Sequence, residues 1–174
     1  MNGLKLPALK GLGSLADCEP IIVVDTREQT PLPFRRFQTR GGTLLSGDYS
    51  VAGLEHLFVV ERKSIGDVVA CCVGQNRERF ERELHRLRGF RFKRLLVVGN
   101  EAEILAGRYR SNVKPQAVTG TLRAFEVRYD VPVVFCDDPA VAAARVESWA
   151  FWFAREMVLA VNDLCRSSVL ELEA

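Results

Sequence analysis

Glu61 and Lys63 stand two residues apart at the end of the apolar run Phe58-Val59-Val60, which continues through Arg62 and Lys63 into Ser64-Ile65-Gly66-Asp67. Read as a strand, the run alternates its side chains, so Val59, Glu61 and Lys63 point to one face and Phe58, Val60 and Arg62 to the other. A carboxylate and an ammonium then share one site. The chemistry that uses such a pair is phosphodiester hydrolysis: an oxygen ligand for a divalent cation, beside a fixed positive charge that steadies the attacking water and the charge developing at phosphorus. An isolated Glu-x-Lys is far more often a solvated ion pair at a strand end, so the reading depends on its surroundings.

Those surroundings are acidic. Ile21-Ile22-Val23-Val24 is a continuous apolar run of the kind a strand buried on both faces needs, and it opens directly into Asp25-Thr26-Arg27-Glu28. Gly47-Asp48-Tyr49 is a turn signal followed by Ser50-Val51-Ala52, which brings another acid onto a short strand or hairpin edge. Asp25, Glu28, Asp48, Glu61 and Asp67 form the pool of carboxylates. Mg²⁺ takes one or two protein carboxylates and completes its shell with water and phosphate oxygens, so the pool supplies one site or two and not every member is a ligand.

The ordered set Asp25-Thr26-Arg27-Glu28, Gly47-Asp48-Tyr49, Glu61-Arg62-Lys63 and Asp67 resembles the signature of the XPF-type nucleases, the structure-specific endonucleases of repair and recombination. Gly74-Gln75-Asn76-Arg77 resembles that family's Gly/Arg turn after the first helix. The runs Leu95-Leu96-Val97-Val98 and Val131-Pro132-Val133-Val134-Phe135 follow the family's order of elements. The resemblance implies a catalytic set of Asp48, Glu61 and Lys63 supported by Asp25 and Asp67. It also implies a site for Mg²⁺ or Mn²⁺ drawing on Asp48, Glu61, Asp25 and Glu28. For Asp25, Arg27 and Glu28 three roles stay open: metal support, ion pairing, or contact with a substrate phosphate. Arg62 reads as structural, its side chain bonded to Asp25 or Asp67 and its backbone carbonyl able to serve the metal. Asp67 has two readings, metal-site support or a capping box with Ser64 at the N-cap.

The 174 residues, 48% hydrophobic and 26% charged, provide enough apolar sequence for one globular domain. Residues 1–19, with three glycines and a proline, read as a flexible leader, and residues 20–174 as the nuclease domain. Five cysteines without a C-x-x-C suggest reduced thiols, and two histidines leave no zinc constellation. No apolar run approaches a membrane span and no signal core opens the chain, so the expectation is an intracellular protein, cytoplasmic or nucleoid-associated.

A net charge of +2 does not argue for nucleic acid, but its distribution does. Basic residues outnumber acids between Arg77 and Arg94. On a helix over 76–88, Phe80, Leu84 and Leu87 make the buried stripe while Arg79, Arg82 and Arg86 share another face. That face, with Arg77 and with Arg27 from the first motif, is the candidate DNA-binding surface; alone it also reads as a solvated helix laced with pairs such as Glu78–Arg82.

Strands are expected near 21–25, 43–51, 57–63, 94–99 and 131–136, and helices near 64–73, 76–88, 114–129 and 139–165. This is an α/β pattern, a mixed central sheet flanked by helices of restriction-endonuclease-like architecture. The last helix carries Trp149, Trp152, Phe153 and Ala160 on one stripe, expected in the core, with Phe151 opposite. The family commonly pairs through its helical side, so a homodimer or a partner nuclease subunit is expected by resemblance. The function implied is a divalent-metal-dependent endonuclease of branched or structured DNA (flap, fork, junction) in repair or recombination. The alternative is a non-catalytic DNA-binding scaffold subunit of a nuclease complex.

Overall fold

The two apolar runs that lead into the charged motifs become neighbouring parts of one sheet. In a computed structural model, which describes residues 19–172, the strands are β1 (Ile22–Asp25), β2 (Thr39–Gly42), β3 (Tyr49–Val51), β4 (Phe58–Ser64), β5 (Phe92–Val98) and β6 (Val133–Cys136). They lie in the order β2-β1-β3-β4-β5-β6. β3 runs antiparallel to both β1 and β4, whereas the β1–β2, β4–β5 and β5–β6 pairs are parallel, so the sheet is mixed. The expected leader, residues 1–19, lies outside the described residues except for Glu19.

β4 is the axis of the fold. Its first three residues are fully buried on both faces. Val59 packs under one helical layer with Leu95, Val97, Phe80 and Phe125, while Phe58 and Val60 pack on the other side with Leu96, Val146 and Phe151. The first layer is built by α1 (Ile65–Ala70), α2 (Gly74–Leu87), α3 (Glu101–Leu105) and α4 (Pro115–Tyr129), and the second by α5 (Pro139–Leu172) with the loop from Leu32 to Phe37. The register Glu61 to Leu95 and Lys63 to Val97 carries β4 past its apolar core, so its charged end emerges under α2. α4 starts with Pro115 in its first turn and stops at Asp130, whose left-handed φ of 52° ends the helix before β6.

Three expectations are corrected. The strand expected over 43–51 is confined to Tyr49–Val51, because Leu44 turns into the core while Leu45 is 87% exposed. β2 and α3 were not anticipated; β2 is a polar edge strand that joins β1 through backbone pairing alone. In α5 the buried stripe is Ala142, Ala143, Val146, Ala150, Phe151 and Ala154, so Phe151 is core. Trp149 and Phe153 pack at its margin, and Trp152 (47% exposed) and Ala160 face out.

α5 also fixes the long loop after β1. Glu147, 5% exposed, accepts the backbone N–H groups of Arg35, Arg36 and Phe37 on one oxygen, at 2.9, 2.7 and 3.2 Å. Removing that acceptor strands three amides beside a packed helix. Glu147→Ala is therefore expected to lower the unfolding free energy by roughly 2–4 kcal/mol, read from urea denaturation; a loss below about 1 kcal/mol would mean that water replaces the carboxylate at no cost.

Candidate active site

The charged end of β4 splits by face, as strand alternation requires. Glu61 and Lys63 lie on the α2 side, where the Lys63 ammonium donates to Glu61 Oε1 and sits 5.5 Å from the Phe80 ring centroid. Glu83 of α2 completes the group, its Oε2 3.8 Å from Lys63 Nζ. Arg62 points to the other face and grips Glu28 with two bonds, Nε to Oε2 at 2.9 Å and Nη2 to Oε1 at 3.0 Å. Its expected partners were Asp25 or Asp67. The loop after β1 instead folds Glu28 back over Tyr49, and Glu28 also accepts the Thr30 amide at 2.8 Å.

Asp48 joins the two faces. Gly47 at φ 77° allows the turn, and a Cβ there would meet Val59 Cγ2 at 2.3 Å. Asp48 N donates to Val60 O, its own carbonyl accepts from Asp25 N, and Arg62 N donates to Asp48 Oδ2 at 2.7 Å. The carboxylate is thereby held against β4 beside Glu61. Arg62 N engages one Asp48 oxygen and Lys63 one Glu61 oxygen, so each carboxylate keeps a second oxygen for a ligand.

Asp25 is placed differently. Its Oδ1 accepts from Arg27 N and Nε at 2.8 and 2.7 Å, and its Oδ2 from Arg27 Nη2 and Leu44 N at 3.0 and 2.7 Å. Four donors fill a carboxylate's acceptor capacity. Arg27 in turn donates to Leu44 O, tying the first motif to the segment before Gly47. Asp67 closes the capping box: Ser64 N and Oγ donate to its Oδ2, and Asp67 N donates to Ser64 Oγ. Its helix-start reading is the one seen in the hydrogen bonds, although its side chain also borders the cleft.

Two polar clefts, of about 390 and 240 Å³, share Arg27, Asp48, Lys63, Arg79 and Glu83. Glu28, Arg62 and Asp67 line the larger, and Asp25, Glu61 and Arg86 the smaller. The structure thus gathers all the sequence-derived carboxylates around one place. Of the basic helix, Arg79 and Arg86 reach the clefts, with Arg86 Nε donating to Ser46 Oγ at 3.2 Å, and Arg82 is exposed. Arg77 turns the other way, bonded to Glu81 and lying over Phe125. The expected Glu78–Arg82 pair is replaced by Arg77–Glu81 and Arg79–Glu83. Glu83 was missed as a site residue; its position three residues after Phe80, on the border of the buried stripe, was the available signal.

The electrostatics separate these acids. Burial pushes Glu61, 6% exposed, up to about 7, with the Asp48 charge adding to the rise and Lys63 offsetting part of it. Burial likewise raises Asp48 against the Arg62 amide and Lys63. For Lys63 burial works downward, but Glu61, Glu83 and Asp48 more than offset it, so the ammonium stays protonated well above the usual lysine range. Glu61 faces a second carboxylate as well as the ammonium. Burial and Asp48 together make Glu61 costly to ionise. Glu28 is lowered, since Arg62 and the Thr30 amide outweigh its burial. The Arg27 hydrogen bonds hold Asp25 down at about 2. Among the described residues no three His, Cys, Asp or Glu side chains converge as a metal cage, and no helix is long and apolar enough to cross a membrane.

A model of the ERCC4 domain matches residues 24–147, well over half of the chain. No curated protein matches it. Among solved structures, XPF from Aeropyrum pernix is similar at 24% identity and a TM-score of 0.60, over 75% of this chain and 60% of that one. XPF from Aeropyrum pernix in complex with DNA is similar at 23% identity and a TM-score of 0.63, over 79% of this chain and 66% of that one. The chain therefore spans about 60–66% of the length of the structures it matches. At these identities the likeness shows the fold: the restriction-endonuclease-like mixed sheet with flanking helices expected from the sequence.

Asp25, held low by its Arg27 bonds, stabilises the fold through its charge. Its folded pKa of about 2 lies below the unfolded value of about 3.9. The unfolded chain then binds the proton more readily, so this carboxylate stabilises the fold above about pH 4 by roughly 2 kcal/mol and loses that contribution as the pH falls toward 2. In urea titrations with EDTA present, the stability gap between wild type and Asp25→Asn should be widest above pH 5 and narrow between pH 4 and 2. A gap constant over that range would show that the Arg27–Asp25 bonds do not depend on charge.

Proposed function

The chain belongs to the ERCC4 domain family, and from that premise we propose that it is a divalent-metal-dependent DNA endonuclease acting on branched or structured DNA. The observation that carries the proposal is the pairing of Asp48 and Glu61, two half- to fully buried carboxylates whose ionised forms are disfavoured by burial, with the protonated Lys63 between them and α2. Their oxygens are hard donors, and two protein carboxylates suit Mg²⁺ or Mn²⁺, which completes its shell with water and phosphate. Asp48 and Glu61 would hold that ion, which supplies Lewis-acid charge at the scissile phosphate.

The protein's own residues do the rest. Lys63 stays charged, so it acts as a hydrogen-bond donor that orients the attacking water and balances charge developing on the phosphate oxygens, and not as a base. The Arg62 amide fixes the Asp48 carboxylate, and the Arg62 guanidinium with Glu28 braces the loop that lines the larger cleft. Asp25, its acceptor capacity filled by Arg27 and Leu44, is assigned a structural role here instead of the metal-binding one expected. Arg27, Arg79, Arg82 and Arg86 present positive charge around and beyond the clefts, which suits backbone contact without base reading. The solved relative named as an XPF complex with DNA supports the substrate class.

The deciding experiment is cleavage of labelled flap, splayed-arm and plain duplex DNA with Mg²⁺, Mn²⁺ or EDTA. Asp48→Ala and Glu61→Ala should each abolish metal-dependent cutting near the branch while leaving DNA affinity within about threefold, because the cation contributes to chemistry more than to backbone contact. Tight binding of branched DNA without cutting by the wild type would favour the scaffold reading. Separately, Arg82→Glu with Arg86→Glu should weaken DNA binding at least about tenfold at low salt and flatten the dependence of log K on log salt. An unchanged binding isotherm would remove α2 from the DNA surface.

A further inference from the structure

We propose that Glu83 is a positioning residue that shares the Lys63 ammonium with Glu61; its catalytic consequence rests on the endonuclease reading above, whereas the sharing itself does not. Lys63 and Glu61 come from β4, and Glu83 comes from α2. The two Glu83 oxygens address two cations: Oε2 lies 3.8 Å from Lys63 Nζ, and Oε1 lies 3.7 Å from Arg79 Nε. Both separations exceed a hydrogen bond, so they are ion pairs with room to close.

The walls around Lys63 limit where it can go. Its ammonium already donates to Glu61, and the apolar ring of Phe80, 1% exposed, lies along another side. With three donors and a largely buried stem, the ammonium needs a second acceptor whenever Glu61 spends its charge elsewhere, and Glu83 is the carboxylate in range. If Glu61 served as a metal ligand it would have less charge to offer the ammonium, and Glu83 would keep Lys63 facing the cleft and not released to solvent. Arg79, exposed and on the rim of both clefts, competes for the same carboxylate. The row Arg79–Glu83–Lys63–Glu61 therefore alternates in sign from the basic helix to the reacting centre. A backbone phosphate that attracts Arg79 frees Glu83 for Lys63, so contact with the substrate tightens the site.

Two measurements test this. In EDTA, the melting temperatures of wild type, Glu61→Gln, Glu83→Gln and the double variant form a cycle without metal or substrate. Each single variant leaves Lys63 one ion-paired carboxylate, and the double leaves only the more distant charge of Asp48, so its loss should exceed the sum of the single losses by roughly 2–4 °C. With Mg²⁺ and branched DNA, Glu83→Gln should lower kcat about 10- to 100-fold while DNA affinity in EDTA stays within about twofold. Glu83→Asp, which keeps the charge on a shorter arm, should recover part of the loss. Additive melting shifts overturn the sharing, and a coupled cycle with wild-type kcat in Glu83→Gln overturns the positioning role. If the wild type cuts no DNA but the cycle is coupled, the endonuclease reading falls and the shared ammonium stands.

Discussion

The arrangement depends on keeping the Glu61 carboxylate buried beside a second carboxylate. Taken alone this placement is unfavourable: burial opposes ionisation of Glu61, and Asp48 opposes it further. It persists because β4 delivers Lys63 to the same face two residues later, and because the apolar half of the strand is locked into both core layers. Stability comes from Phe58, Val59 and Val60, and the charged half of the strand uses it. The unfavourable placement is maintained by packing elsewhere in the strand.

Carboxylates also do architectural work here that sheet pairing does not. Asp25 replaces ladder bonds at the end of β1 by taking four N–H donors from Arg27 and Leu44, which sets the path of the chain toward Gly47 and Asp48. Glu147 does the same for the loop at Arg35–Phe37 from the opposite layer. Between them they fix both ends of an irregular region that includes Glu28. The Arg62–Glu28 pair then closes it against β4. An irregular segment carrying charged residues is thus tied to the sheet and to α5 by its carboxylates, with Leu32 and Phe37 seated in the core.

That division explains what was legible in the sequence. β1, β4, β5 and β6 were readable as short apolar runs, α2 from its helical apolar stripe, and α4 from its proline start and its stop at Asp130. The face assignment of Glu61, Arg62 and Lys63 followed from alternation on β4 alone. β2 was not readable: Thr39-Arg40-Gly41-Gly42 has no apolar period and joins the sheet through its backbone. The aromatic stripe of α5 was misjudged because aromatic content was weighed above the small residues Ala142, Ala143, Ala150 and Ala154, which let the helix approach the sheet. The Arg62 partner depended on a loop folding back across 34 positions of sequence, which no local pattern encodes. Glu83 was hidden for a different reason: among alternating Glu and Arg, a carboxylate that meets the site looks like one that meets water.

The five acids proposed from the sequence are alike in type, and their surroundings sort them. Asp25 and Glu28 are each bound by an arginine and by backbone amides, and both are pushed toward their charged forms, a finished interaction with little left to give. Asp48 and Glu61 are buried with fewer donors and pushed toward their neutral forms, so the protein leaves their charge uncompensated. The same distinction holds for the bases: Arg27 and Arg62 are committed to Asp25 and Glu28, whereas Arg79 and Lys63 stand at loose distances from Glu83. Both sets line the clefts: the saturated pairs hold the shape of the site and the unsaturated ones keep bonding capacity. The boundary between the two sets runs along β4 between neighbouring residues, because adjacent positions on a strand face opposite layers.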